Sequence, residues 1–284
     1  MAREHRIIER TREQSGLPQT PSALAADLRA LGVTEGMTLI VHSSLSSVGW
    51  VPGGAQGVVE ALQRAVGTDG TLVMPTHTGH LSDPARWRNP PVPETWWDAI
   101  RADMPAYDPD ATPVYGMGAI PETFRKMKGV RRSNHPHLSF AAWGRHAEAV
   151  LAGHGDDPDA LAQPLGDASP IGRVYALGGS VLLLGVGHDS NTSLHLAEYR
   201  ADYAPKETET CWAPVRIGGE RRWISYVDLA FDTDDFARIG AEFAERTGLV
   251  KDGRVGLAPA LLMPQRELVD FATAWMAKHR GAAT

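Results

Sequence analysis

Apolar positions along this chain change period several times, and the changes divide it into alternating helices and strands. Leu24, Leu28 and Leu31 fall at helical spacing after Thr20-Pro21, which predicts a helix over 21–31. Thr20 is its expected N-cap, Pro21 its first residue and Gly32 its C-terminal stop. The apolar run 37–42 predicts a strand, and a stretch rich in Ser and Gly follows over 43–54. Val59, Leu62 and Val66 predict a helix over 56–66, and 70–75 reads as a second strand. Strand, helix and strand in that order predict parallel pairing, because parallel strands need a crossover between them.

Beyond residue 76 the pattern loosens. Residues 76–116 show no period and are rich in Pro, Trp and Asp. A loop of this length is functional or disordered, and Trp87, Trp96 and Trp97 argue against disorder. Short helices are expected over 121–127, 147–151 and 171–176, strands over 139–143 and 180–185, and a second loop over 153–169. Residues 214–217 and 221–227 flank Gly218-Gly219 as a hairpin, and helices are expected over 234–247 and 266–278. No repeat or linker divides the chain. The expected architecture is one α/β domain over 1–284: a central mixed, largely parallel sheet flanked by helices, with long functional loop insertions. Residues 1–18 are expected to be a peripheral N-terminal extension.

Composition narrows the class. Of the 284 residues, 43% are hydrophobic and 22% charged, as in a soluble globular protein. No apolar run reaches the roughly 20 residues of a membrane-spanning helix. The charged N-terminus lacks a signal-peptide core, so a cytoplasmic location and no membrane partner are expected. The net charge of −6 disfavours nucleic acid and is compatible with a cationic small substrate. The single cysteine, Cys211, excludes an intramolecular disulfide and a cysteine-rich zinc site.

The most informative segment is Val186-Gly-His-Asp-Ser-Asn-Thr-Ser-Leu-His-Leu-Ala-Glu198, which follows a predicted strand. Thr192, His195 and Glu198 recur at steps of three, so they share one helical face. That face lies at the carboxyl end of a strand, where α/β proteins bind ligands. His195 suits a general base near neutral pH; its alternative is a satisfied core histidine. Glu198 would orient the imidazole or offset charge on an incoming ammonium; otherwise it is a surface carboxylate. Thr192 would bond an oxygen on which negative charge develops, or bond its own backbone. Asp189 is expected to cap or position the turn, and His188 to support it. His188, His195 and Glu198 could also be read as metal ligands, but no His-Glu-x-x-His motif is present and no metal is expected. Cys211 lacks a neighbouring histidine to activate it as an acyl carrier.

Two loops suit binding. The Ser43–Ser47 loop offers hydroxyls and backbone N–H groups ahead of a helix, an arrangement that holds phosphate. It is neither a Walker A loop nor a Gly-x-Gly-x-x-Gly turn. Arg131 and Arg132 pair with phosphate or are solvated. The 76–110 loop carries Asp83, Glu94, Asp98, Asp103, Asp108 and Asp110 against Arg86, Arg88 and Arg101, a local net charge of −3. Its carboxylates and aromatic rings suit a polycation rich in hydroxyls.

Taken together, these segments resemble the aminoglycoside 3-N-acetyltransferase family. The resemblance rests on Val41-His-Ser-Ser-Leu-Ser-Ser-Val-Gly49 with Gly53-Gly54, and on Gly70-Thr-Leu-Val-Met-Pro-Thr76. It also rests on Pro90-Pro-Val-Pro-Glu-Thr-Trp-Trp97, Arg132-Ser-Asn-His-Pro136, Ser139-Phe-Ala-Ala142 and the run from Leu183 to Glu198. The resemblance implies acetyl transfer from acetyl-CoA to the 3-amino group of a deoxystreptamine ring, which inactivates the antibiotic. By position it implies His195 as catalytic base with Glu198 as acidic partner; Thr192 joins them as a candidate by its place on the same helical face. Coenzyme A is then expected at Ser43, Ser44, Ser46, Val48, Gly54, Arg132 and Ser133, and the charge and rings of the loops put the cationic acceptor at Asp83, Glu94, Trp96 and Asp189. A monomer or a homodimer is compatible with it. Competing readings are an acetyltransferase acting on a non-antibiotic amine, a metal-dependent hydrolase and a non-catalytic drug binder.

Overall fold

In a computed structural model, residues 2–281 are described. The apolar runs become β1 (Thr38–Ser43), β2 (Thr71–Pro75) and β5 (Ser180–Leu184), with β3 (Arg131–Arg132) and β4 (Phe140–Gly144) between the last two. A hairpin of β6 (Thr208–Ile217) and β7 (Glu220–Leu229) follows, then β8 (Lys251–Val255) and β9 (Ala258–Pro264). Seven of these form one sheet in the order β3-β4-β2-β1-β5-β9-β8. β1 pairs parallel with β2 and with β5. β4 and β9 run antiparallel on either side of this trio. β3 and β8 reverse once more, so five of the seven strands share one direction. This is the mixed, largely parallel sheet that the strand–helix–strand pattern predicts.

The central strands read as unbroken apolar runs because both of their faces are covered. On one face Leu39, Val41, Leu72, Met74 and Leu182 pack with residues of the helices Pro21–Leu31 and Ala55–Val66. On the other Ile40, Val73, Val181 and Leu183 meet Pro170–Ala176, Ser193–Arg200, Phe236–Thr247 and Gln265–His279. The chain leaves β1 toward β2 and leaves β5 toward the opposite edge. A crevice therefore opens between the carboxyl ends of β1 and β5, the usual ligand position in an open α/β sheet.

The first predicted helix forms as its caps require. Thr20 accepts from the Ala23 N–H at 3.2 Å, and Gly32 closes the helix at φ 112°. Other regions differ from expectation. The serine stretch contains a helical turn, Leu45–Val48, and the long loop contains the helix Trp97–Asp103. The hairpin is longer than its glycine-flanked core, with ten residues in each strand. β8 and β9 were not expected: Lys-Asp-Gly-Arg-Val of β8 is a polar edge strand with no apolar period, and β9 is a short apolar run between it and the last helix. The N-terminal extension holds the helix Ala2–Ser15. That helix docks on the serine segment: Arg10 Nη2 donates to the Ser46 carbonyl at 2.5 Å, and Thr11 accepts from the Trp50 N–H at 2.8 Å.

Candidate active site

The crevice holds a cavity of about 360 Å³ whose walls come from the ends of the three parallel strands. β1 contributes His42 and Ser43, β2 leads into His77, and the turn and helix after β5 contribute Asp189, Thr192 and His195. The Ser193–Arg200 helix starts one residue after Thr192, so it carries His195 and Glu198 on one face. His195 Nδ1 lies 2.5 Å from Glu198 Oε2. Glu198 is only 2% exposed, and its other oxygen accepts from Arg280 Nη1 at 2.6 Å and the Asp232 N–H at 3.1 Å. Three converging donors fit an ionised carboxylate, which can only accept. Against an ionised Glu198, His195 donates from Nδ1, which leaves Nε2 as the ring nitrogen not engaged by the dyad. Phe231 and Phe236 clamp the ring, with centroids at 4.5 and 5.0 Å.

Behind this pair, Arg280 bonds Asp235 through Nε at 2.7 Å and Nη2 at 2.5 Å, and the Asp232 carbonyl at 2.8 Å. Burial opposes its charge, but hydrogen bonds to Asp235, Glu198 and Tyr203 outweigh that and raise its pKa. The cavity wall holds two further imidazoles. Burial, then the neighbouring His195 and His188, lowers His42 to about 3. Burial, then His195 and His42, lowers His77 to about 3 as well. Both rings are neutral at ordinary pH. His42 Nε2, His77 Nε2 and Ser43 Oγ are buried without a partner among the described residues. Thr192 Oγ1 lies 3.4 Å from His42 Nδ1. His188 does not line the cavity; its ring lies so close to Gly240 that a Cβ there would be 2.2 Å away.

A groove of about 360 Å³ continues from the cavity, with which it shares Ser43, Gly116 and Met117. Ser44, Ser46, Arg3 and Ile7 line it, so the N-terminal helix forms one wall. Of the residues expected at the coenzyme, Ser43, Ser44 and Ser46 thus meet in one place. Val48 is fully buried in the core and Gly54 is the N-cap of Ala55–Val66 at φ 57°; neither lines the groove. Arg132 and Ser133, also expected at the coenzyme, do not line the groove, and their polar atoms are engaged within the protein. Arg132 is bound to Thr76, Ser139 and the carbonyls of Pro109 and Thr112. Ser133 Oγ is bound to the Phe140 N–H and His154 Nδ1. Their polar atoms tie the long loop to β4, and arginine and serine at these positions read alike as loop anchors or as ligands. Arg131 pairs with Glu148 at the surface.

On the far side of Phe231 lies a hollow of about 330 Å³ lined by Asp83, Glu209, Asp228 and Cys211. Asp83 caps the turn Pro84–Arg86 and binds Arg101 at 2.8 Å, and Glu209 pairs with Arg86. Asp228 accepts from Tyr199 at 2.6 Å, and burial raises its pKa. Glu94 and Trp96 are exposed, Trp96 by 56%, and line neither hollow nor cavity. Burial raises Cys211 to about 11, which leaves the thiol protonated. No group of three metal-ligating side chains occurs among the described residues. Sequence reasoning missed His42, His77 and Arg280. A histidine ending an otherwise apolar strand was the available signal for His42; Arg280 gave none.

Comparison with known proteins adds the following. The profile of aminoglycoside 3-N-acetyltransferases matches residues 40–277. The chain is 46% identical to the SPbeta prophage-derived aminoglycoside N(3')-acetyltransferase-like protein YokD of Bacillus subtilis (strain 168), over 93% of this chain and 94% of that one. It is 38% identical to aminoglycoside N(3)-acetyltransferase VII of Streptomyces paromomycinus, over 95% of each. The crystal structure of YokD from Bacillus subtilis matches with a TM-score of 0.91 at 44% identity, over 99% of this chain and all of that one (100%). AAC-VIa bound to sisomicin matches at 0.82 and 33% identity, over 94% and 100%. AAC-IIIb in a binary complex with CoASH matches at 0.79 and 30%, over 93% and 98%.

Proposed function

The chain belongs to the aminoglycoside 3-N-acetyltransferase family, and from that premise we propose that it passes the acetyl group of acetyl-CoA directly to the 3-amino group of a deoxystreptamine ring, with His195 as general base. The His195–Glu198 pair carries this reading, since it fixes the tautomer with Nε2 free in a cavity at the strand ends. An acceptor amine is mostly an ammonium near neutral pH and attacks only after losing a proton. Once the free amine is bound, attack on the thioester forms the N–C bond and breaks the C–S bond. His195 Nε2 takes the second proton from nitrogen and returns it to the departing thiolate. Glu198, held by Arg280, orients the ring and stabilises its charged form while it carries that proton.

The residues present suit both substrates. The serine groove presents hydroxyls and a cationic Arg3 and runs into the cavity at Ser43, a fit to a long phosphorylated thioester. Coenzyme A supplies the thioester there, consistent with the relative that binds CoASH. The carboxylate-lined hollow beside Phe231 suits the ammonium groups of the acceptor, and Asp189 shares the cavity wall with His195. A solved relative, AAC-VIa, holds sisomicin.

Mass spectrometry after incubation with acetyl-CoA and a panel of aminoglycosides tests the reading. Drugs bearing a free 3-amino group gain one acetyl group, and those without it do not. His195→Ala keeps the fold and coenzyme binding but loses turnover. An unmodified panel would assign the same chemistry to another amine, and full activity in His195→Ala would remove the base.

A further inference from the structure

We propose that His42 is a second catalytic residue, whose Nε2–H donates a hydrogen bond to the acetyl oxygen of the thioester as negative charge develops there. The proposal rests on the transfer reading above. His42 is the penultimate residue of β1, is 5% exposed and shares the cavity wall with Thr192 and His195. Its Nδ1 faces the Thr192 hydroxyl at 3.4 Å. With that hydroxyl as donor to Nδ1, the ring proton resides on Nε2. Nε2 has no partner among the described residues. A buried polar atom left unpaired is destabilising, so a fold that keeps one needs a reason. A ligand in the cavity that His42 lines supplies the missing partner.

The chemistry of the ring fits this part. Burial, His195 and His188 hold His42 at about 3, so it is a neutral hydrogen-bond donor that does not compete as an acid or base. A neutral imidazole polarises a carbonyl without changing its own protonation. Its mount is rigid: β1 is buried on both faces, and a preorganised donor needs no reordering when charge appears. His195 cannot do this work as well, because Nδ1 is committed to Glu198 and Nε2 takes the amine proton. His77 has the same low pKa and an unpartnered Nε2, but it lies in the loop after β2. The step balances as before. The N–C bond forms, the C–S bond breaks, the amine proton passes through His195 to sulfur, and His42 keeps its proton throughout.

Steady-state kinetics and thermal unfolding of His42→Leu, His42→Gln and His195→Ala test this. In His42→Leu kcat should fall about 10²–10³-fold, the usual effect of removing one such donor. The KM for acetyl-CoA should barely change, and Tm should hold or rise because an unpaired buried atom is gone. His42→Gln restores an amide donor and should recover at least a tenfold part of the loss. Near-normal kcat in His42→Leu overturns the proposal. So does a kcat loss matched by a drop in Tm in both variants, or failure of both to fold, since either marks a structural histidine. Full activity in His195→Ala would overturn the transfer reading itself. An inactive His195→Ala beside an active His42→Leu overturns only the part given to His42.

Discussion

At His195 the chemistry depends on which ring nitrogen carries the proton, and Glu198 decides that. Glu198→Gln keeps the shape but can present an amide N–H to Nδ1, which forces the proton onto Nε2. The base is then lost without loss of the ring, and kcat should fall about 10²–10⁴-fold, as when the carboxylate of a serine-protease triad becomes an amide. Turnover measured with acetyl-CoA saturating checks this; a change confined to KM would show that Glu198 only shapes the pocket. Arg280→Met should act through Glu198 and not through substrate. It removes the charged partner of two buried or half-buried carboxylates, Glu198 and Asp235, so both kcat and Tm should fall while the KM for acetyl-CoA holds. His195 and Glu198 were legible because their spacing of three is a local property of one helix. Arg280 was not, since it reaches Glu198 across 82 residues of sequence. The partners of Arg132 were not legible for a related reason: its five bonds go to oxygens of four residues that only the folded loop brings together.

At the scale of elements, the N-terminal helix Ala2–Ser15 has the clearest separable effect. It lines the groove through Arg3 and Ile7, holds the Ser46 carbonyl through Arg10, and contributes no residue to the His195 cavity. Removing residues 2–15 should therefore raise the KM for acetyl-CoA while kcat at saturation changes little. Initial rates over a range of acetyl-CoA check this, and an unchanged KM would mean that the coenzyme lies elsewhere. The helix Phe236–Thr247 is bound to the site by contact and not by chemistry. Gly240 there lets the His188 ring approach, and an alanine Cβ would meet it at 2.2 Å. Gly240→Ala gains helix propensity of about 1 kcal/mol. The overpacking costs typically 1–3 kcal/mol, so Tm should fall on balance. A Tm equal to wild type would show that the His188 ring moves freely. Central strands and their helices were readable from apolar period alone, because burial on both faces writes a strong pattern. β8 was not, because an edge strand with one exposed side carries Lys251, Asp252 and Arg254 where a core strand carries Leu.

For the whole molecule, buried histidines set the response to acid. His42 and His77 stand at about 3 and His154 at about 4, each because burial disfavours the charged ring. In the unfolded chain a histidine titrates near 6.5. Between these values the unfolded state binds more protons than the folded one, so stability is complete above about pH 6.5 and declines as pH falls. Each such histidine contributes a slope of about 1.4 kcal/mol per pH unit in that window. Three of them at pH 5 remove about 6 kcal/mol, a large share of the 5–15 kcal/mol that typical proteins have. Glu122, held at about 2 by the hydrogen bonds of Arg125, Lys126 and the Val114 N–H against the cost of burial, belongs to a lower window. Its contribution is present above about 4.5 and is lost only as pH falls toward 2. Urea midpoints should therefore already drop between pH 7.5 and 5, above the window of Glu122. The slope also identifies its sources: His42→Leu should reduce it by one proton, whatever that variant does to turnover. A midpoint that stays level down to pH 5 would mean that these rings protonate inside the fold, and the wall of the cavity would then be cationic where the proposed chemistry needs it neutral.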